Sequence, residues 1–276
     1  MGSKKFADYV PVEAYLNTET NSDFTKRADL KASQGGRQVF FALEVLSETK
    51  SETQTLVFGH IAFLHARFGK FNSSTSAIAK HLRYSVNAVK NALSELLDSR
   101  EGKTPLLIEE QSQGYNRCLK INLQHPLGFR LLQSYTHMLN RQQSPHTLPL
   151  YSVRLDLVDP KSRYDSRHQH KMLMLYGLIN SKIKANKIAT RNKQKSYRQS
   201  ISQLSKKLGW VYMTVKSLLD TMLSMGLLSV EKDYSDHVMR IVFSTIAKLQ
   251  SASQGRQSVL PNDIPIERYR DRPVVT

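Results

Sequence analysis

Apolar residues in the first half of the chain recur at helical spacing in three segments. The dense apolar stretch over residues 56–68 predicts a buried helix. Ser73 or Ser74 is suited to cap a short helix that follows, and Arg83-Tyr84 interrupts it. A longer helix is predicted after Ser85, its own N-cap. The order is that of a helix-turn-helix.

The longer helix has two distinct faces. Its predicted core stripe contains Val86, Val89, Leu93, Leu96 and Leu97. Its opposite face contains Asn87, Lys90, Asn91 and Ser94. Such side chains reach base edges and phosphates in nucleic-acid complexes. A solvated helix face without a partner is the equally open alternative.

Two short segments after this helix alternate like the strands of a hairpin. They cover residues 105–110 and 117–123, with a turn at Gly114. The predicted hairpin tip carries Gln113, Tyr115, Asn116 and Arg117. A hairpin in this place is the wing of a winged helix. The single cysteine, Cys118, is expected to be a small buried residue of this hairpin.

The same pattern returns 126 residues later. The matched pairs are Lys80 and Lys206, Leu82 and Leu208, Tyr84 and Trp210, Val89 and Val215, Lys90 and Lys216, Leu93 and Leu219, and Leu97 and Leu223. Ser200 is the predicted cap of the short helix, Gly209 the turn, and Val211 the start of the longer helix. A second hairpin is predicted over residues 227–232 and 237–243.

The second long helix is predicted to bury a corresponding stripe. The stripe contains Tyr212, Val215, Leu219, Met222 and Leu223. The outward residues are Met213, Lys216, Ser217 and Asp220, with Val211 and Thr214 near the leading end. Because these differ from Asn87, Lys90 and Asn91, the two helices are not expected to read the same bases.

The remaining patterns connect the two repeats. Residues 40–46 form an apolar run that fits a strand or a helical turn. Residues 127–141 predict a connecting helix, and 151–158 alternate like a half-buried strand that opens the second repeat. A further helix is predicted over residues 171–186.

The predicted fold class is α+β and predominantly helical, with two winged helix-turn-helix domains in tandem. The predicted divisions are a flexible arm (1–37), the first winged helix (38–125), a connecting helix and linker (126–149), the second, strongly basic winged helix (150–249) and a tail (250–276).

The charge of the chain indicates the kind of partner that it binds. The net charge is +17 and the isoelectric point about 9.9, which suits a polyanion. Residues 161–210 contain thirteen Lys or Arg against one acid, Asp165. A solvated loop is the common fate of such a run, but its position beside the second repeat favours phosphate contacts. Its basic members before the second helix-turn-helix are Lys187, Arg191, Lys193, Lys195 and Arg198.

Catalytic and cofactor motifs are not apparent, so we expect no enzyme activity and no cofactor or metal. The sequence lacks a Gly-rich loop ending in Lys-Ser/Thr and any zinc-ligand spacing. His168-Gln169-His170 faintly resembles the metal site of rolling-circle nicking enzymes, but Gln169 is polar where that site has an apolar residue. A pair of histidines at a helix start is the simpler interpretation. No apolar run approaches the length of a membrane span, and the start lacks a signal peptide's apolar core, so a cytoplasmic protein is expected.

Two winged helices joined by a helix and a strand, in a basic chain of this size, resemble the replication initiator proteins of iteron-bearing plasmids and some phages. The resemblance covers residues 40–245 and is architectural. It implies that residues 211–220 form the principal DNA-reading helix, and that residues 85–94 form a secondary or dimerising one. It also implies repeated origin sites and the replication machinery as partners.

The predicted function is therefore sequence-specific binding of double-stranded DNA by a replication initiator associated with a plasmid or the nucleoid. A transcriptional repressor or a partition-type DNA-binding protein is the alternative, and a protein–protein module of a nucleoprotein assembly is a further one. A homodimer through the first winged helix stays open. The predicted DNA contacts are Ser85, Asn87, Lys90, Asn91, Ser94, Arg117, Lys187, Arg191, Lys193, Lys195, Arg198, Lys206, Lys207, Val211, Met213, Thr214, Lys216 and Ser217.

Overall fold

The computed structural model of the chain describes residues 38–69, 71–99, 102–110, 117–140, 147–155, 165–189, 197–233 and 240–245. For residues 186–189, 230–233 and 240–245 only the backbone is described. These residues form a mixed α+β fold in which helices predominate and the strands form three small antiparallel sheets. The helices are α1 (Leu43–Thr49), α2 (Glu52–Phe68), α3 (Thr75–Leu82), α4 (Val86–Leu96), α5 (Gly128–Leu139), α6 (Ser166–Ala189), α7 (Ile201–Leu208) and α8 (Tyr212–Ser224). The strands are β1 (Gln38–Ala42), β2 (Phe71–Ser73), β3 (Leu107–Glu110), β4 (Arg117–Ile121), β5 (Leu150–Arg154), β6 (Tyr197–Gln199), β7 (Leu228–Asp233) and β8 (Arg240–Thr245).

The pairing of β1 with β5 joins the two halves of the chain. The strands are antiparallel, with Phe40 opposite Ser152. Each strand also lies against a long helix, β1 on α2 and β5 on α6. The contact points are Gly59 and Gly177, where a Cβ would overlap the carbonyl oxygens of Phe40 and Ser152. Glycine is therefore required by the close approach of strand to helix in both halves.

The first half builds its core under a three-stranded sheet. The strand order is β2-β4-β3, with Phe71 opposite Leu119 and Leu107 opposite Ile121. Helix α2 packs against α4, α5 and the sheet, and α3 packs against α4. Leu56, Phe58, Ile78, Leu82, Leu93 and Leu107 are fully buried members of this core.

The second half repeats the order of elements. A short strand, two helices and two further strands follow α6, and the sheet order is β6-β8-β7, so the last strand is again central. Tyr197 lies opposite Phe243, and Leu228 opposite Thr245. Helix α6 packs against α8. Val215, Leu218 and Met222 of α8 are fully buried, as are Leu175, Leu178 and Ile179 of α6.

The helices and the paired strands predicted from the sequence are present, with shifted boundaries. The apolar run 40–46 divides at Ala42 into β1 and α1, and α6 begins at Ser166 instead of 171. The strand predicted over 151–158 lies before α6, but it pairs with β1 of the first half, and residues 156–158 lie outside the described part. The three-residue strands β2 and β6 were not predicted.

Two predicted core positions are wrong. Val86 and Tyr212 are each 40% exposed, although both continue an apolar stripe. They are the first residues of α4 and α8, one turn before the helix meets the core. Periodicity identifies a face of a helix but not the point at which its supporting neighbour ends.

Several predicted segments lie outside the described residues: the arm 1–37, the hairpin tip 111–116, most of the linker and the tail 250–276. Within the described part of the chain, no helix is long and apolar enough to cross a membrane.

Candidate nucleic-acid interface

The first helix-turn-helix is fixed by two serine caps and a left-handed turn. The Ser74 hydroxyl accepts from the Ala77 N–H and the Ser85 hydroxyl from the Ala88 N–H, both at 3.2 Å. Arg83 between them has φ of 57°, which ends α3, and the Tyr84 N–H donates to the Ala79 carbonyl at 3.1 Å. These contacts set the direction in which α4 leaves the turn.

The second helix-turn-helix has the same turn but a different cap. Ser200 and Gln203 form a capping box at α7, and Gly209 is left-handed with φ of 65°. The Trp210 N–H donates to the Ser205 carbonyl at 3.1 Å, as Tyr84 does in the first half. Val211 occupies the N-cap of α8, where Ser85 stands at α4, and it provides no side-chain hydrogen bond.

The outward faces of the two long helices are exposed and chemically different. On α4, the predicted contact residues Asn87, Lys90, Asn91 and Ser94 and the cap Ser85 are exposed, as are Val86 and Glu95. On α8, Val211, Tyr212 and Met213 are 71%, 40% and 64% exposed. Ser217 is exposed as well, while Thr214 and Lys216 are half-buried. The predicted contact residues of both helices are thus at least partly accessible.

The described basic residues between α6 and α8 lie on β6 and at the end of α7. Arg198, Lys206 and Lys207 are exposed. The Lys207 Nζ donates to the Tyr197 hydroxyl at 3.0 Å, which holds it against β6. Burial raises the pKa of Asp220 and the charge of Lys216 opposes that rise, so Lys216 has an acidic neighbour one turn away.

Some predicted contacts have another partner or fall outside the described structure. The Arg117 guanidinium is paired with Glu109 across the β3–β4 ladder, its Nε 2.7 Å from Oε1. Arg191, Lys193 and Lys195 lie outside the described residues, as does the Lys187 side chain. Cys118 is buried in β4 as expected.

A buried carboxylate at the start of α2 was not identified from the sequence. Glu52 is 2% exposed, and its Oε1 lies 2.6 Å from the Nε of Arg167 on α6. The Lys171 Nζ lies 3.9 Å from its other oxygen. A buried carboxylate requires such cations because desolvation alone disfavours its charge. Its partners are 115 or more positions away, so no local pattern could indicate them.

The first turns of α6 contact both helix-turn-helix turns. The His170 ring stacks on Tyr84 with centroids 4.0 Å apart, and its Nε2 lies 2.8 Å from the Leu82 carbonyl oxygen. The next residue, Lys171, lies 5.8 Å from the ring centroid of Trp210. Burial lowers the pKa of His170, while backbone carbonyls and Glu52 act in the other direction. The histidine pair 168–170 therefore lies on a helix and has structural contacts.

Among the described residues, no cluster of three or more His, Cys, Asp or Glu side chains is arranged to hold a metal ion. No protein-family model matches the chain, and neither a curated protein nor a solved structure matches it.

Proposed function

We propose that this chain is a sequence-specific double-stranded DNA-binding protein built from two winged helix-turn-helix units in tandem. The observation that carries the proposal is the repeated order of strand, helix, turn, helix and two strands, with an exposed face on the longer helix each time. In winged helices the longer helix enters the major groove and the hairpin lies beside it. Here α4 and α8 are the groove-entering helices.

The charges around α8 support a phosphate-bearing partner. Residues 197–229 contain Arg198, Lys206, Lys207 and Lys216 against one acid, Asp220. A lysine or arginine beside a recognition helix contacts phosphates and fixes its register on the duplex. The polar face of α4 and the mixed face of α8 would then meet base edges.

The first experiment is DNA affinity as a function of salt. If about five phosphates are neutralised, log affinity falls against log salt with a slope of roughly −4 to −5. A fluorescently labelled random-sequence duplex and fluorescence anisotropy measure this slope. An affinity unchanged between low and moderate salt contradicts the proposal.

A second experiment separates positioning from reading. Lys206→Ala weakens binding to all duplexes about equally, because phosphates carry no base identity. The double variant Lys216→Ala/Ser217→Ala instead narrows the gap between a selected site and random DNA, by roughly 1–3 kcal/mol for each base that the variant no longer reads. Lys103→Ala, an exposed lysine outside both helix-turn-helix segments, is the charge-matched control. If Lys206→Ala and Lys216→Ala/Ser217→Ala change the affinities for selected and random DNA in the same way, α8 is not the helix that reads bases.

Within this class, the particular role we propose is plasmid or phage replication initiation in the cytoplasm. The support is the tandem arrangement and its resemblance to initiators that bind repeated origin sites. A repressor or partition protein has the same fold requirements and is the alternative. Protection of direct repeats beside the gene, together with loss of plasmid maintenance when α8 is altered, distinguishes an initiator. Protection of a promoter alone favours the repressor.

If the two units served as a protein–protein module, the outward faces of both long helices should be apolar and buried. Asn87, Lys90 and Asn91 on α4 are polar and exposed, which favours DNA. Homodimerisation through the first half is compatible with DNA binding. Sedimentation of the full chain with and without duplex DNA measures it.

A further inference from the structure

Three consecutive apolar side chains are exposed at the leading end of α8. Val211, Tyr212 and Met213 are 71%, 40% and 64% exposed, and they belong to the N-cap and first turn of the helix. Scattered exposed apolar residues are ordinary on protein surfaces, whereas these three are consecutive at the proposed groove-entering end, and we call them the apolar patch.

The residue at this N-cap is unfavourable for the helix itself. Valine cannot accept the hydrogen bond that serine, threonine, aspartate or asparagine provides there, and it ranks among the poorest N-caps. Ser85 at the corresponding position of α4 makes that bond. Departures from local preference are expected where a residue serves function at the expense of stability. Val211 departs from local preference in two ways. Its side chain makes no cap hydrogen bond, and a valine is exposed to solvent.

Basic residues precede the patch in the chain, and the helix that carries two of them packs against α8. Lys206 and Lys207 end the helix before it, and Arg198 lies on β6 of the same half; all three are exposed. An apolar patch that directly follows a basic helix end fits a partner with anionic edges and apolar groups between them. The major groove of DNA has this chemistry, since phosphates line it and the 5-methyl group of thymine is the apolar group on its floor.

We propose, resting on the DNA-binding function above, that Val211 and Met213 recognise thymine 5-methyl groups, so that the site read by α8 contains thymines. At the corresponding end of α4, Ser85 and Asn87 stand in place of Val211 and Met213, and Val86 is the one exposed apolar side chain among these three positions. An asparagine at that place suits the N6 and N7 atoms of adenine. Methyl recognition is therefore a property of the second half alone.

The test compares thymine with deoxyuridine, which keeps the hydrogen-bonding edge and removes only the methyl group. The full chain selects its preferred duplex from a random pool, and each thymine of that duplex is then replaced singly by deoxyuridine. We expect affinity to fall about four-fold for each contacted thymine, the change that accompanies return of one methyl-sized apolar surface to water. Thymines outside the α8 contact show no change and serve as internal controls.

Variants assign the effect to the patch. Val211→Ser combined with Met213→Asn introduces the residues of the first half, and it should bind thymine and deoxyuridine duplexes equally. Met225→Ser alters an apolar side chain that is 52% exposed at the far end of α8, and it should keep the discrimination. Circular dichroism and thermal unfolding of both variants confirm folding, which the new serine cap favours.

The outcomes are distinguishable. Tight, sequence-selective binding with equal affinity for thymine and deoxyuridine overturns the inference and leaves the proposed function intact. The absence of salt-dependent duplex binding overturns the proposed function itself. A patch variant that changes the sedimentation of the free protein but keeps the thymine preference assigns the patch to self-association, and that also overturns the inference.

Discussion

The two helix-turn-helix segments are alike inside and different outside. Val89 and Leu93 of α4 are buried at the same spacing as Val215 and Leu219 of α8. Both turns place a left-handed residue after the short helix, Arg83 in one and Gly209 in the other. Shared buried positions give the two helices the same support, whereas their exposed faces are free to differ. A common framework therefore carries two exposed faces of different chemistry.

The difference extends to charge. Residues 71–99 contain three Lys or Arg and two acids, whereas residues 197–229 contain four and one. The first half thus offers a weaker field to an anionic partner. Its α4 face carries asparagines, which suit directed hydrogen bonds. The second half combines stronger charge with an apolar leading end, so we expect it to dominate affinity.

The largest expected effect on stability concerns the close strand–helix contact that occurs at a glycine in both halves. Gly59→Ala and Gly177→Ala each force a methyl group into a strand carbonyl, and each should lower the free energy of unfolding by about 3 kcal/mol or more. Urea denaturation measures both. Ser202→Ala on the exposed face of α7 should stay within about 0.5 kcal/mol of the parent. A large cost at one glycine and none at the other would show that the two strand–helix contacts are not equivalent.

The next effect concerns the ion pair between the halves. Arg167→Ala leaves the Glu52 carboxylate buried with Lys171 alone, and it should cost about 2 kcal/mol, less than for a fully buried pair because Arg167 is 68% exposed. In a Glu52→Gln background the same change should cost well under half as much. A double-mutant cycle by urea denaturation gives the coupling. Additive effects would remove Glu52 from any role in joining the halves.

Acid destabilisation should arise partly in the first half. Burial, and then the charge of Lys120, lowers the pKa of His65 to about 4, and its Nδ1 accepts from the Ile121 N–H at 3.1 Å. Because the folded pKa lies below the unfolded value of 6.5, the stabilisation is complete above pH 6.5 and is lost as pH falls toward 4. Unfolding free energy should fall by about 2 kcal/mol from this group between pH 7.5 and pH 5.

The measurement for His65 is urea denaturation at several pH values. His65→Gln should be less stable at neutral pH but show a shallower decline between pH 6.5 and pH 5. His137→Gln, a half-buried histidine on α5, is the matched control and should leave the slope unchanged. An unchanged slope in His65→Gln would assign the acid sensitivity to other groups, with His60 the first to examine because burial lowers its pKa to about 3.

The smallest expected effect concerns the caps. Ser85→Ala should cost about 1 kcal/mol because α4 loses its cap, whereas Val211→Ser should stabilise by up to about 1 kcal/mol. Thermal unfolding of the two single variants should show a lower melting temperature for Ser85→Ala and a higher one for Val211→Ser. Ser224→Ala, at the other end of α8, is the control for a serine change outside an N-cap. Destabilisation by Val211→Ser would mean that Val211 has packing contacts that outweigh a cap.

Much of each half follows from the sequence because its signals are local. A serine directly before a helical pattern predicts the caps Ser85 and Ser200, whereas at α3 the sequence leaves Ser73 and Ser74 as alternatives and the structure has Ser74. Helical spacing predicts the buried face of α4 apart from Val86. The alternation of the wing segments likewise predicts β3, β4, β7 and β8. These features depend on residues within a few positions of one another, so each can be predicted from its own segment of the sequence.

Tertiary structure alone decided how the segments meet. Nothing near Phe40 indicates that it lies opposite Ser152, and nothing near Glu52 indicates Arg167. The exposure of Val86 and Tyr212 shows that tertiary packing does not cover the first residue of α4 or of α8. Periodicity indicates which face of a helix or strand is apolar. The segment that packs against that face, and how many of its residues become buried, depend on packing among segments far apart in sequence. The sequence therefore determined the two repeats and their chemical difference, while packing determined that a strand pair, a buried carboxylate and the contacts of His170 join them.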